Sequence, residues 1–84
     1  MGLPNQSVLL SPEQVADLSG KLADARHNVN NHLALIVAAL ELIRRKPETS
    51  ERMISSMAEQ PPKILEEFRK FSDGFEKTLN ITRD

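Results

Sequence analysis

The sequence predicts an all-α protein: a long antiparallel helical hairpin that homodimerises into a four-helix bundle. Three observations carry that expectation. Apolar residues recur in steps of three and four along two stretches, residues 15–43 and 54–79, which is the period of a helix with one buried stripe. A single short joint, Pro47 to Thr49, separates the stretches, so the two helices must run antiparallel. A chain of 84 residues with no cysteine has neither disulfides nor a thiolate zinc site to supplement a small core, and one helix shields only one side of another's stripe. A second hairpin is therefore expected to complete the core.

Residues 1–10 form an N-terminal extension. "MGLPNQSVLL" has no positively charged start and too short an apolar run for a signal peptide. Residues 11–84 make the hairpin. Its first helix, about 12–46, opens on a complete start signal. Ser11 is an N-cap, Pro12 stands at the first helical position where its missing N–H costs nothing, and Gln14 can close a capping box. Val15, Leu18, Leu22, Ala25, Val29, His32, Ile36, Ala39 and Ile43 form the stripe. Arg44, Arg45 and Lys46 suit the negative end of the helix dipole before Pro47 ends it. The section from Val15 to Leu22 is expected to overhang the second helix as a coiled-coil stalk.

The second helix is expected over about 49–79, with the stripe Ile54, Met57, Pro61, Ile64, Phe68, Phe71, Phe75 and Leu79. Pro61 and Pro62 remove two backbone donors, which predicts a kink at 61–62. Charged residues occupy the opposite face, with Glu66 and Lys70, and Asp73 and Lys77, in favourable i,i+4 order.

Charge and composition exclude several function classes. The net charge is −1 with both signs interspersed, and there is no Trp or Tyr and only three Phe. Neither a basic stripe nor a stacking platform for nucleic acid is present. No stretch approaches the ~20 apolar residues of a membrane span, and the lack of cysteine suits a cytoplasmic protein. Two histidines five apart diverge round a helix instead of converging on a metal, so no metal site is expected.

The polar cluster in "ARHNVNNHLALIVAALELI" interrupts the first stripe. His32 falls on the stripe itself, as a polar residue of the bundle interior. His27 falls near the opposite side, on a face shared with Gly20, Ala23, Asp24, Asn30, Asn31, Ala34 and Ala38. A solvated helix face normally carries long charged side chains. This one carries small residues around an imidazole, a surface that another protein can approach closely.

At this cluster the chain resembles the dimerisation and histidine-phosphotransfer domain of bacterial two-component sensor histidine kinases. His27, Val29, Asn30, Asn31 and Leu33 match in order the variant phosphoacceptor box His-Asp-Leu-Asn-Asn-x-Leu, and "ILEEFRKFSDG" is similar to the end of the second helix in that family. The resemblance covers roughly residues 15–80. It implies that His27 is the phosphoacceptor and exchanges a phosphoryl group with a response-regulator aspartate. It also implies that Asn31 positions a water for dephosphorylation, and that Ala23, Asp24, Asn30, Ala34 and Ala38 belong to the partner-binding surface. A neutral imidazole is a competent nucleophile at pH 7, and an amide can hold a water without titrating. The implied partners are a second copy of the chain, a receiver domain and a histidine kinase ATP-binding domain. No cofactor is expected in this chain, with ATP and Mg²⁺ entering through those partners.

Asn28 departs from the pattern. It occupies the position of the usual acidic base, and an amide cannot accept a proton. Nothing in the 84 residues resembles an ATP-binding domain. The expectation is therefore a piece of a histidine kinase or a phosphotransferase, and not an autonomous kinase. The alternatives are a catalytically degenerate, purely structural dimerisation bundle, whose polar residues set helix register, and a monomeric phosphotransfer domain, for which two helices this long leave too few residues.

Overall fold

The computed structural model of the chain describes residues 7–80. Helix α1 spans Pro12–Arg45, a 3₁₀ turn spans Pro47–Thr49, α2 spans Ser50–Ala58 and α3 spans Gln60–Leu79. Apart from residues 7–11 and 46, the described chain is helix and connecting turn, with no strand among the described residues.

The capping box forms at the start of α1. Gln14 N donates to Ser11 Oγ at 3.1 Å, and Ser11 N donates to Gln14 Oε1 at 2.9 Å. Two of the helix's orphan donors are thereby satisfied by one another's side chains. Lys46 N donates to Leu42 O at 2.7 Å to close the other end, after which Pro47 stops the helix. At the far end of α3, Asn80 takes the left-handed conformation at φ 57°, which asparagine tolerates better than most side chains.

α2 and α3 fold back along α1 as two pieces. The break lies at Glu59, not at the 61–62 step expected from the prolines. Breaking there puts Pro61 and Pro62 in the first turn of α3, where absent N–H groups leave no carbonyl without its intrahelical partner. The shift also changes which residue points inward. Gln60 is buried, 4% exposed, and Pro61, expected on the stripe, is exposed. Gln60 Oε1 accepts from His32 Nδ1 at 2.8 Å, and its Nε2 donates to Ser56 O at 3.3 Å. One side chain thus ties α1 to both sides of the break.

The expected stalk is also corrected. α3 is long enough to lie alongside Lys21, whose aliphatic chain passes within reach of Gly74, so that a Cβ built there would meet Lys21 Cδ at 3.7 Å. Five residues of α3 continue beyond Gly74, so the section Val15 to Leu22 is flanked over most of its length.

The interior between α1 and the returning helices is thin. Ala25 and Ala39 are the buried apolar residues, and no large side chain is fully buried among the described residues. The molecule is a single layer of helices, 58 × 28 × 12 Å. Leu22, Leu33 and Leu40 of α1 stay 44–49% exposed, and Ile54 of α2 and Phe68 of α3 stay 56% and 55% exposed.

Candidate functional site

α1 carries the polar cluster at mid-length, where the helix is flanked by α3. His27 and Asn31 are exposed, one turn apart. Asn31 Nδ2 approaches His27 Nε2 at 3.3 Å. An amide nitrogen only donates, so this contact suits the ring form in which Nε2 accepts. The imidazole therefore stands at the surface next to an amide able to orient a small polar group. Ala23, Ala34 and Ala38, together with Gly20, are exposed around this pair, and none has a side chain long enough to screen it.

Asn28, the next residue, is on a different side. It is half-buried and turned toward α3, where its Nδ2 donates to Glu67 Oε2 at 3.1 Å. Glu67 Oε1 meets Lys70 Nζ at 3.2 Å, and the Glu67 side chain is only 15% exposed. The hydrogen bond from Asn28, with Lys70 adding to it, holds the Glu67 carboxyl below the usual glutamate range. Farther out on α3, Arg69 bridges Glu66 and Asp73 on the open surface, and its hydrogen bond lowers the Glu66 carboxyl in the same sense. That exposed ladder is solvated and adds little to stability.

Two grooves run between α1 and α3, one on each face of the layer, sharing Ala25 and Phe71 as their floor. The first, about 280 Å³, mixes polar and apolar lining and adds Lys21, Asp24, Asn28, Glu67 and Lys70. The second, about 360 Å³, is mainly apolar and adds Leu22, Arg26, Val29, Asn30 and Phe68. Asp24 and Asn30, expected together on the face of His27, thus border opposite grooves, while Ala23, Ala34 and Ala38 stay on the exposed side. At about 100° per residue, His27 lies about 120–140° round the helix from Leu33 and Leu22, away from the apolar groove.

Sequence reasoning missed Glu67, Lys70 and Gln60. A signal was present. Gln60, Ile64, Glu67, Phe71, Gly74 and Thr78 keep the steps of three and four, and all six are buried or half-buried, but the phenylalanines at 68 and 75 mark a stronger apolar pattern beside them. No group of three or more His, Cys, Asp or Glu able to hold a metal exists among the described residues, and no described helix is long and apolar enough to cross a membrane. Compared with known proteins, the chain matches no family model, no curated protein and no solved structure.

Proposed function

We propose that this chain is a phosphotransfer module of two-component signalling that works as a homodimer, with His27 accepting a phosphoryl group and exchanging it with the aspartate of a response-regulator receiver. One arrangement carries the reading. An exposed imidazole, with Asn31 one turn away at 3.3 Å, stands beside the small residues Ala23 and Ala34 on the edge of α1 opposite the seam with α3. A second copy covering Leu22, Leu33, Leu40 and Phe68 leaves His27 open to a receiver. The need for that second copy is supported by area. The chain exposes 6538 Å², against about 5,000 Å² for a compact monomer of 9.4 kDa, and a homodimer of standard size withdraws about 800 Å² from each partner.

In this reading the His27 Nε2 lone pair attacks the phosphorus of an aspartyl phosphate. The N–P bond forms as the P–O bond to the aspartate breaks, and the electron pair leaves with the carboxylate oxygen. The imidazolium keeps its Nδ1 proton until solvent takes it, and the reverse transfer retraces these steps. The receiver brings its own Mg²⁺, so this chain contributes positioning and a nucleophile. Asn31 is assigned to orient a water in the dephosphorylation of the receiver.

The test uses the purified chain with a receiver domain phosphorylated by acetyl phosphate, alongside His27→Ala and His32→Ala. The expected result is acid-labile, base-stable label on the parent and on His32→Ala, and none on His27→Ala. Absence of label on the folded parent, across a panel of receivers, would sink the reading in favour of a structural dimerisation bundle. The hydrogen-bonded rungs Asn28–Glu67 and His32–Gln60 suit that second reading, since polar pairs across a helical interface fix register.

A further inference from the structure

We propose that the 3₁₀ turn and α2, residues 47–58, melt away from α1 as one local unit while α3 stays docked, and that the Gln60 side chain is the latch that holds this tip closed. The opening needs nothing from the phosphotransfer reading of His27. α2 has nine residues and no side-chain cap, and none of its residues is buried. Its inward stripe is Met53, Ser56 and Met57, all half-buried. Two flexible thioether chains and a hydroxyl thus stand where α3 turns Ile64 and Phe71 inward, and methionine adapts to its surroundings without fixing one packing. The tip's own side-chain hydrogen bonds are local. Thr49 Oγ1 donates to Lys46 O at 2.7 Å, Ser50 Oγ to Pro47 O, and Ser55 Oγ to Glu51 O at 3.2 Å. Among the described residues, the one side-chain hydrogen bond between residues 47–60 and α1 is the 2.8 Å contact of His32 Nδ1 with Gln60 Oε1.

Backbone bonding thins out at the same joint. In a continuous helix the N–H groups of residues 61 and 62 bond the carbonyls of Met57 and Ala58, but both positions are proline. Glu59 N reaches Ser56 O at 3.3 Å, a long bond, and Gln60 Nε2 donates to the same oxygen at 3.3 Å. Gln60 is therefore a two-sided tie, its Oε1 holding α1 through His32 and its Nε2 holding the last turn of α2, on a side chain only 4% exposed. Elements that open locally are drawn from such weakly packed parts of a fold. α3 is held on its own account. Asn28 Nδ2 meets Glu67 Oε2 at 3.1 Å, and Ala25 is buried with Phe71 beside it. Both contacts lie beyond Gln60 from the tip, as does the His27–Asn31 pair, and opening breaks none of them. The melted tip stays tethered at Lys46 and Glu59 as a closed loop. Since α1 and α2 run antiparallel from the His32–Gln60 level, the part of α1 uncovered is the one after His32, with Ala39, 5% exposed, and the half-buried Ile36 and Ile43.

The experiment is hydrogen–deuterium exchange of the full chain at pH 7 and fixed protein concentration, read on peptides of α2 and of α3, with and without low urea. In the parent, α2 amides are expected to exchange at least about tenfold faster than those of α3, and with a shallower dependence on urea, because local opening exposes less surface than global unfolding. Two variants separate the latch from the rest of the seam. Gln60→Ala weakens the closed form relative to both the opened and the unfolded chain, so exchange is expected to speed up about tenfold in α2 and α3 alike. Asn28→Ala removes a bond that the opened form still keeps. Exchange is expected to speed up by a similar factor in α3 and to stay within about twofold of the parent in α2. His32→Ala breaks the latch from the α1 side and takes the place of Gln60→Ala if that variant does not fold. Equal urea slopes for α2 and α3 in the parent, or an acceleration of α2 by Asn28→Ala as large as that of α3, would overturn the local unit. If Asn28→Ala does not fold, the slopes of the parent decide. An α2 that exchanges as fast as an unstructured peptide in the parent, or that is unmoved in a folded latch variant, would overturn the latch.

Discussion

Residue by residue, the polar cluster divides between two jobs that a helical wheel alone does not separate. His27 and Asn31 face solvent, whereas Asn28 and His32 face the returning helices and end in hydrogen bonds to Glu67 and Gln60. The Glu67 carboxyl has a measurable signature. Its folded pKa lies below its unfolded value, so the stabilisation it brings is present above about pH 4.3 and is lost as pH falls through the depressed folded value. The parent's Tm is therefore expected to drop on acidification below about pH 4.5. Glu67→Gln should fall less steeply, though not flatly, because Glu66 keeps its pairing with Arg69. Melting curves across the acid range up to neutral pH check this, and parallel acid limbs for the two proteins would refute it.

Among the elements, the break between α2 and α3 shows how two prolines are accommodated. Pro61 and Pro62 interrupt the helix by one residue at Glu59 and start a new one, and Gln60 bonds to both Ser56 and His32 across the interruption. Gln60→Ala removes an acceptor from a half-buried imidazole and a donor from the Ser56 carbonyl. The expected cost is about 1–3 kcal/mol, read as a lowered urea midpoint with unchanged m-value. A change below about 0.5 kcal/mol would mean that water replaces the side chain at no cost.

Seen whole, the hairpin is one layer lacking the second layer that helical domains require. Val15, Leu22, Leu33 and Leu40 from α1, Ile54 from α2 and Phe68 and Phe75 from α3 are all more than a third exposed. In the proposed homodimer a shared core between two copies would cover them. Phe68→Asp and Leu33→Asp are each expected to convert a sedimenting dimer into monomer and to lower Tm. Loss of a buried Leu or Phe costs about 1.5–3 kcal/mol per copy, and each substitution acts in both copies. The parent's Tm should rise with protein concentration, as linkage between folding and association demands. A parent that sediments as a stable monomer, with a Tm independent of concentration, would exclude the bundle.

The sequence by itself determined what is local. Ser11, Pro12 and Gln14 specify the start of α1 through groups three residues apart, Pro47 specifies its end, and the three-and-four spacing specifies that both long stretches are helical. The exposed His27 beside Asn31 is legible for the same reason, since residues one turn apart on a helix are neighbours whatever surrounds them. What only the tertiary structure decided is which stripe meets which helix. The strongest apolar residues, Phe68 and Phe75, sit on the open side of the layer, while the seam within the hairpin uses Ala25, Asn28, His32, Gln60 and Glu67. Apolar spacing reports how much surface must leave water, not which neighbour removes it. The pairing of Asn28 with Glu67, 39 residues apart in the chain, depends on the register in which α3 returns along α1. That register follows the geometry of the Pro47–Thr49 turn and the placement of the break at Glu59, two residues before the 61–62 step; the prolines announce both joints but not which side chains they bring face to face.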